Sequence, residues 1–122
     1  MRVLVVDDSR AIRRIVGNIM RELGFEVTEA ENGREALACL NEQGLPDIVL
    51  VDWNMPEMDG LEFVRAARAN PAYADLPLMM VTTETEMERM ALALLAGVNE
   101  YVMKPFDKEI IHDKLQLLGI GS

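Results

Sequence analysis

The stretch Ile48-Val49-Leu50-Val51-Asp52-Trp53-Asn54-Met55-Pro56 decides the fold. Four apolar, mostly β-branched residues end abruptly in a carboxylate, and Asp59-Gly60 follows Pro56. A continuous apolar run bounded by turn residues reads as a strand buried on both faces, as in a parallel sheet. Asp52 is then expected first past the strand's carboxyl end, the edge at which open α/β sheets bind ligands. Taken alone, Asp52 could also be a loop residue capping the next helix, a common use of Asp.

The same grammar recurs on either side. Val3-Leu4-Val5-Val6 ends in Asp7-Asp8 and reads as strand one. Ser9 is placed to cap a helix, with Ile12, Ile15, Ile19 and Leu23 at helical spacing, Val16 and Met20 on the same face, and Gly24 as its stop. Glu26-Val27-Thr28-Glu29-Ala30 alternates polar with apolar or small residues, which suits a half-exposed edge strand. Asn32, with Glu35 three residues on, opens the second helix, whose apolar face is Ala36, Leu37 and Leu40. Asp59 and Glu62 open the third, lined by Leu61, Val64 and Ala67, and Asn70-Pro71 ends it. Leu78-Met79-Met80-Val81 is another doubly buried strand, ending in Thr82-Thr83. A fourth helix is expected over about 84–96, closed by Gly97. Tyr101-Val102-Met103 is the last strand, ending in Lys104-Pro105. Asp107 caps a final helix with Ile110, Ile111, Leu115 and Leu118 on one side.

Five βα units imply a parallel sheet with helices on both faces, and right-handed crossovers restrict its topology. Placing the alternating second strand at an edge gives the flavodoxin-like (βα)5 sandwich with strand order 2-1-3-4-5. The 122 residues make one domain, with roughly two thirds of the unfolded chain's surface buried. The expectation is one unit over 1–122 with no output domain. The net charge of -9 argues against nucleic acid or an anionic membrane as partner, since both are polyanions. Cys39 is the only cysteine, which fits a reducing compartment. The longest apolar run, residues 90–98, falls far short of the roughly 20 residues of a membrane span. A soluble, cytoplasmic protein is expected.

In this strand order the carboxyl ends carrying Asp7 and Asp8, Asp52, Thr82 and Lys104 are neighbours. At about 4 Å two like charges repel by about 4 kcal/mol at an effective dielectric near 20. Three clustered carboxylates therefore either raise a pKa or hold a cation. All-oxygen ligands in an open site suit Mg²⁺ better than Ca²⁺, and the lack of Cys or His at these strand ends argues against Zn²⁺. A carboxylate beside Mg²⁺, a lysine and a hydroxyl is equipped for phosphoryl transfer, with Asp52 attacking phosphorus, and Lys104 and Thr82 stabilising the transferring group. The plainer reading is that Lys104 forms a structural ion pair in the acidic cluster.

Asp7-Asp8, Asp52 followed by Met55-Pro56 and Asp59-Gly60, Thr82, and Lys104-Pro105-Phe106 together resemble the receiver domain of two-component response regulators, over essentially the whole chain. Asp52-Trp53-Asn54-Met55-Pro56 with Thr82, Glu84 and Tyr101 is most similar to the stand-alone chemotaxis members. The resemblance implies that Asp52 accepts a phosphoryl group from a histidine kinase, and that Asp7, Asp8, Asp52 and the main-chain carbonyl of Asn54 hold Mg²⁺. It implies that Thr82 and Tyr101 form the switch, that Asn54, Thr83 and Glu84 modulate turnover, and that Lys104-Pro105 is cis. It further implies a monomer that is no enzyme beyond its own phosphotransfer and autodephosphorylation. Its downstream protein target would bind the face of the fourth helix, fifth strand and fifth helix. Thr83 stands where a small residue is frequent, and Glu86 and Met87 where well-studied members carry basic residues.

Two other functions share these residues. A phosphorelay shuttle would pass the phosphoryl group on to a histidine phosphotransfer domain. An Asp-based, Mg²⁺-dependent hydrolase of the haloacid-dehalogenase type resembles Asp-x-Asp after its strand, but Asn54 occupies the position of the second carboxylate. His112 and Cys39 lie on helices and are read as packing or surface residues. Around Leu92, Leu94 and Leu95 the fourth helix carries more apolar residues than one inward stripe can take. The alternatives are deep burial or an exposed apolar strip beside Tyr101, flanked by Lys108 and Lys114.

Overall fold

The computed structural model describes residues 1–83 and 88–121. Five strands, β1 (Arg2–Val6), β2 (Glu26–Ala30), β3 (Ile48–Asp52), β4 (Leu78–Thr82) and β5 (Glu100–Met103), alternate with five helices. The helices are α1 (Arg10–Glu22), α2 (Gly33–Gln43), α3 (Gly60–Ala69), α4 (Met90–Ala96) and α5 (Lys108–Leu117), with a 3-10 turn at Pro71–Tyr73. All strand pairs are parallel, in the order β2-β1-β3-β4-β5, as the sequence predicts.

The period of two along each strand divides the core into two layers. Leu4, Val6, Val49, Val51, Leu78 and Met80 point to one face and pack with Ala36 and Leu40 of α2, Phe63 and Val64 of α3, and Met90 and Ala93 of α4. Val3, Val5, Ile48, Leu50, Met79 and Val81 point to the other, against Val16 and Met20 of α1 and Ile111 and Leu115 of α5. Every residue of β3 and β4 is buried, which is why those strands read as unbroken apolar runs. Strand β2 is half-exposed at its edge.

The predicted caps form. Ser9, Asn32, Asp59 and Asp107 each accept a main-chain N–H three residues on with a side-chain oxygen. The reciprocal bond of a full capping box is present at Asp59 and Glu62. Gly97 ends α4 at φ 116°, a left-handed conformation that favours glycine.

Some expectations need correction. Asp52 is the last residue of β3 and lies opposite Val81, so it is not the first residue beyond the strand. Ile15 is 56% exposed, and Arg13 takes the buried place beside Val16 and Met20. The inward stripe of α1 is rotated from the expected one, because positions 13, 16 and 20 line up at about 100° per residue and 15 falls outside them. Ile110 is likewise exposed on α5, while Ile111 and Leu115 carry the packing. Helix α4 begins at Met90 after a 3-10 turn at 88–89, and its expected start near Glu84, with Glu86 and Met87, lies outside the described residues. No described helix is long and apolar enough to cross a membrane.

Candidate functional site at the carboxyl edge of the sheet

Register builds the site. Val6 lies opposite Val51, so Asp7, one residue on, comes beside Asp52. Asp52 lies opposite Val81, so Thr82 extends one step beyond it. Thr82 in turn lies opposite Met103, and Lys104 follows, its N–H donating to the Thr82 carbonyl at 2.7 Å. Four strands thus deliver Asp7, Asp52, Thr82 and Lys104 to one edge. Asp8 comes with the turn after β1.

Carboxylate oxygens of Asp7, Asp8 and Asp52 all lie within 4.8 Å of one another, a group that could hold a divalent cation. Asp7 and Asp52 are buried and Asp8 is exposed, so the group opens to solvent on one side. The adjoining open cleft, about 450 Å³, is lined by Asp8, Asn54, Met55, Pro56 and Asp59. Hard oxygen donors around a partly open position suit a hard cation that keeps some of its waters.

Lys104 supplies the opposing charge. Its Nζ lies 3.0 Å from Asp52 Oδ1 and 3.6 Å from Asp7 Oδ2. Burial acts to lower the lysine's pKa, but the hydrogen bond and charge of Asp52, joined by those of Asp7, outweigh it and leave the value raised. Asp7 is also raised. Burial is the main cause and the charge of Asp8 adds to it, against the Ser9 N–H on its carboxylate and the charge of Lys104. The Lys104-Pro105 bond is cis, as expected.

Backbone geometry holds Asp52 in place. The Gly60 N–H donates to the Trp53 carbonyl at 2.8 Å. A Cβ on Gly60 would collide with the Asp52 carbonyl, so the chain needs glycine there for close approach. Thr82 is fully buried, with its hydroxyl 3.3 Å from the Thr83 carbonyl. Asn54 is exposed at the cleft, and Thr83 is partly buried. Glu84 lies outside the described residues.

Tyr101 is half-buried on β5. Lys114 Nζ sits 4.6 Å from its ring centroid and 3.2 Å from Glu100 Oε1, and Glu100 also accepts the Tyr101 N–H. Lys108, expected with Lys114 to flank the strip, lies 3.8 Å from Glu22 of α1. Leu92, Leu94 and Leu95 are 45%, 50% and 85% exposed, which excludes deep burial. His112 and Cys39 stand apart from the carboxylates, at half-buried helical positions.

Sequence reasoning passed over Arg13 and Arg89. Arg13 is buried, donating to the Asp7 carbonyl at 2.7 Å and to Glu29 at 3.0 Å. Its spacing from Val16 and Met20 was the available signal. The Arg89 guanidinium lies 4.8 Å from the Trp53 ring centroid, a contact with no sequence signature.

Residues 3–116 match the response regulator receiver domain family, and the chain belongs to it. Its members signal through phosphorylation, and their own phosphotransfer and dephosphorylation are their only chemistry, which displaces the hydrolase reading. Within the family the chain is CheY-like. It is 47% identical over 124 residues to a chemotaxis protein CheY homolog of Campylobacter jejuni, covering 100% of this chain and 95% of that relative. It is 43% identical over 119 residues to the chemotaxis protein CheY1 of Helicobacter pylori, covering 97% and 96%. The solved structure of the chemotaxis response regulator CheY4 of Vibrio cholerae superposes with a TM-score of 0.88 at 39% identity, covering 96% of this chain and 97% of that one.

Proposed function

We propose that this chain is a phosphorylation-controlled switch of a chemotaxis pathway, acting in the cytoplasm through its receiver domain. Asp52 accepts a phosphoryl group from a histidine kinase. The modified site then changes the α4-β5-α5 face, through which a downstream protein binds. The observation that carries this reading is the meeting of three carboxylates within 4.8 Å with Lys104 Nζ 3.0 Å from Asp52 Oδ1.

The donor set fits Mg²⁺, held by Asp7, Asp8, Asp52 and the Asn54 carbonyl. When bound, the ion offsets negative charge on the transferring group. The chain's own residues do the rest. Asp52 Oδ is the nucleophile, forming the bond to phosphorus as the bond to the donor's histidine nitrogen breaks. Lys104, kept protonated by its carboxylate partners, offers its ammonium to the phosphoryl oxygens. The Thr82 hydroxyl turns toward an oxygen of the same group, and Tyr101 fills the space it leaves. Asn54, Thr83 and Glu84 border the phosphoryl group and set how fast water removes it. The near full-length match to chemotaxis relatives favours a switch over a phosphorelay shuttle.

Treatment with acetyl phosphate and Mg²⁺, followed by intact-mass measurement, tests the site. One added phosphoryl mass is expected in the wild type and none in Asp52→Asn, because an amide is not a nucleophile. Full labelling of Asp52→Asn would remove Asp52 from its role.

A further inference from the structure

Arg13 is an arginine on the inward stripe of α1, where apolar residues are the rule. A buried guanidinium must find acceptors for its donors. This one finds two on different segments. One terminal nitrogen donates to the Asp7 main-chain carbonyl at 2.7 Å, and Nε donates to Glu29 Oε1 at 3.0 Å. Glu29 stands on β2, the edge strand next to β1. The main chain of Asp7 is therefore held at both ends, since its N–H also donates to the Ala30 carbonyl of β2 at 3.1 Å. Its carboxylate is fixed separately by the Ser9 N–H at 2.8 Å.

We infer that Arg13 is a positioning residue of the acidic site. By tying the Asp7 carbonyl to Glu29, it holds the Asp7-Asp8 turn in the conformation that a divalent cation requires. The inference rests on the reading that Asp7, Asp8 and Asp52 bind such a cation, and it adds a residue that touches none of the ligand atoms. Two effects of the guanidinium compete. Its positive charge would repel a cation, whereas its hydrogen bond fixes the ligands. Glu29 decides between them, because the ion pair offsets the charge of Arg13 locally and leaves the backbone bond as its main influence. Groups that orient metal ligands from outside are typically worth 10- to 100-fold in affinity. The exposed Glu29 end makes the lower part of that range the expectation here.

The test is a Mg²⁺ titration of the intact chain, read by emission of Trp53, the only tryptophan, beside Asp52. The metal-free melting temperature is measured in parallel. Wild type, Arg13→Ala and Glu29→Ala are compared below their melting transitions. The expected result is a dissociation constant weakened on the order of tenfold in Arg13→Ala, and less but in the same direction in Glu29→Ala. Unchanged affinity in both folded variants, even with a lower melting temperature, would make Arg13 purely structural and overturn the inference. Tighter binding in Arg13→Ala would overturn it too, since charge would then outweigh positioning. If Arg13→Ala does not fold, Arg13→Met, which keeps the length and apolar stem of the side chain but no donor, decides in its place by the same two outcomes. Failure of the wild type to bind Mg²⁺ would instead defeat the reading of the site itself.

Discussion

Asp7 shows how the site trades stability for chemistry. Its pKa is raised, chiefly by burial and further by the charge of Asp8. An acid shifted upward on folding stabilises the fold while protonated. That contribution is full below 3.8 and is lost as pH rises through the folded-state value. At neutral pH the ionised cluster is therefore a source of strain in the metal-free protein. Asp7→Asn is expected to raise the metal-free melting temperature at pH 7 by a few degrees, on the order of 1 kcal/mol. The gain should shrink as pH falls toward 4, which thermal melts across that range would detect. Asp8→Ala is expected to act in the same direction while weakening Mg²⁺ affinity, and a lower melting point with unchanged affinity would make Asp8 structural. Asp7, Asp8, Asp52, Thr82 and Lys104 were all legible in the sequence, because each interrupts an apolar run and a polar group there has no packing role. Arg13 was not, because a single charge within an amphipathic helix reads as solvated until the direction of its stripe is known.

Among the elements, α4 and β5 carry the proposed response. Helix α4 has little inward surface, with Met90 and Ala93 buried and three leucines exposed. Its carboxyl end is tied down by Arg68 of α3, which donates to the Gly97 carbonyl at 3.0 Å and to Asn99 Oδ1 at 2.8 Å. An element with little buried surface along its length can shift between two packings at small cost. Thr82→Ala is expected to accept phosphate normally yet lose phosphorylation-dependent partner binding. Equal binding by the phosphorylated variant and wild type would remove Thr82 from the switch. Tyr101→Ala and Leu92→Glu should each weaken partner binding on the order of tenfold without lowering phosphoryl incorporation. The Leu92, Leu94 and Leu95 excess could be counted in the sequence, but its exposure could not be decided there. Nor could the sequence show that Lys108 turns to Glu22 while Lys114 covers Tyr101, since both choices depend on how α5 is rotated.

Across the whole molecule, topology converts local pattern into a site. Strand order followed from the repeated βα units with right-handed crossovers and from the alternation of β2, and the order then made four strand ends neighbours. What remained outside the sequence is the register: which residue faces which fixes the 3.0 Å contact between Lys104 and Asp52. The proposal as a whole is that chemistry at this edge is read out on the α4-β5-α5 face. Hydrogen exchange of the intact chain, with and without acetyl phosphate in the presence of Mg²⁺, tests that coupling most directly. The account predicts altered protection over α4 and β5 in the phosphorylated wild type and none in Asp52→Asn. No change there in fully phosphorylated protein, or a change confined to α1, would contradict it.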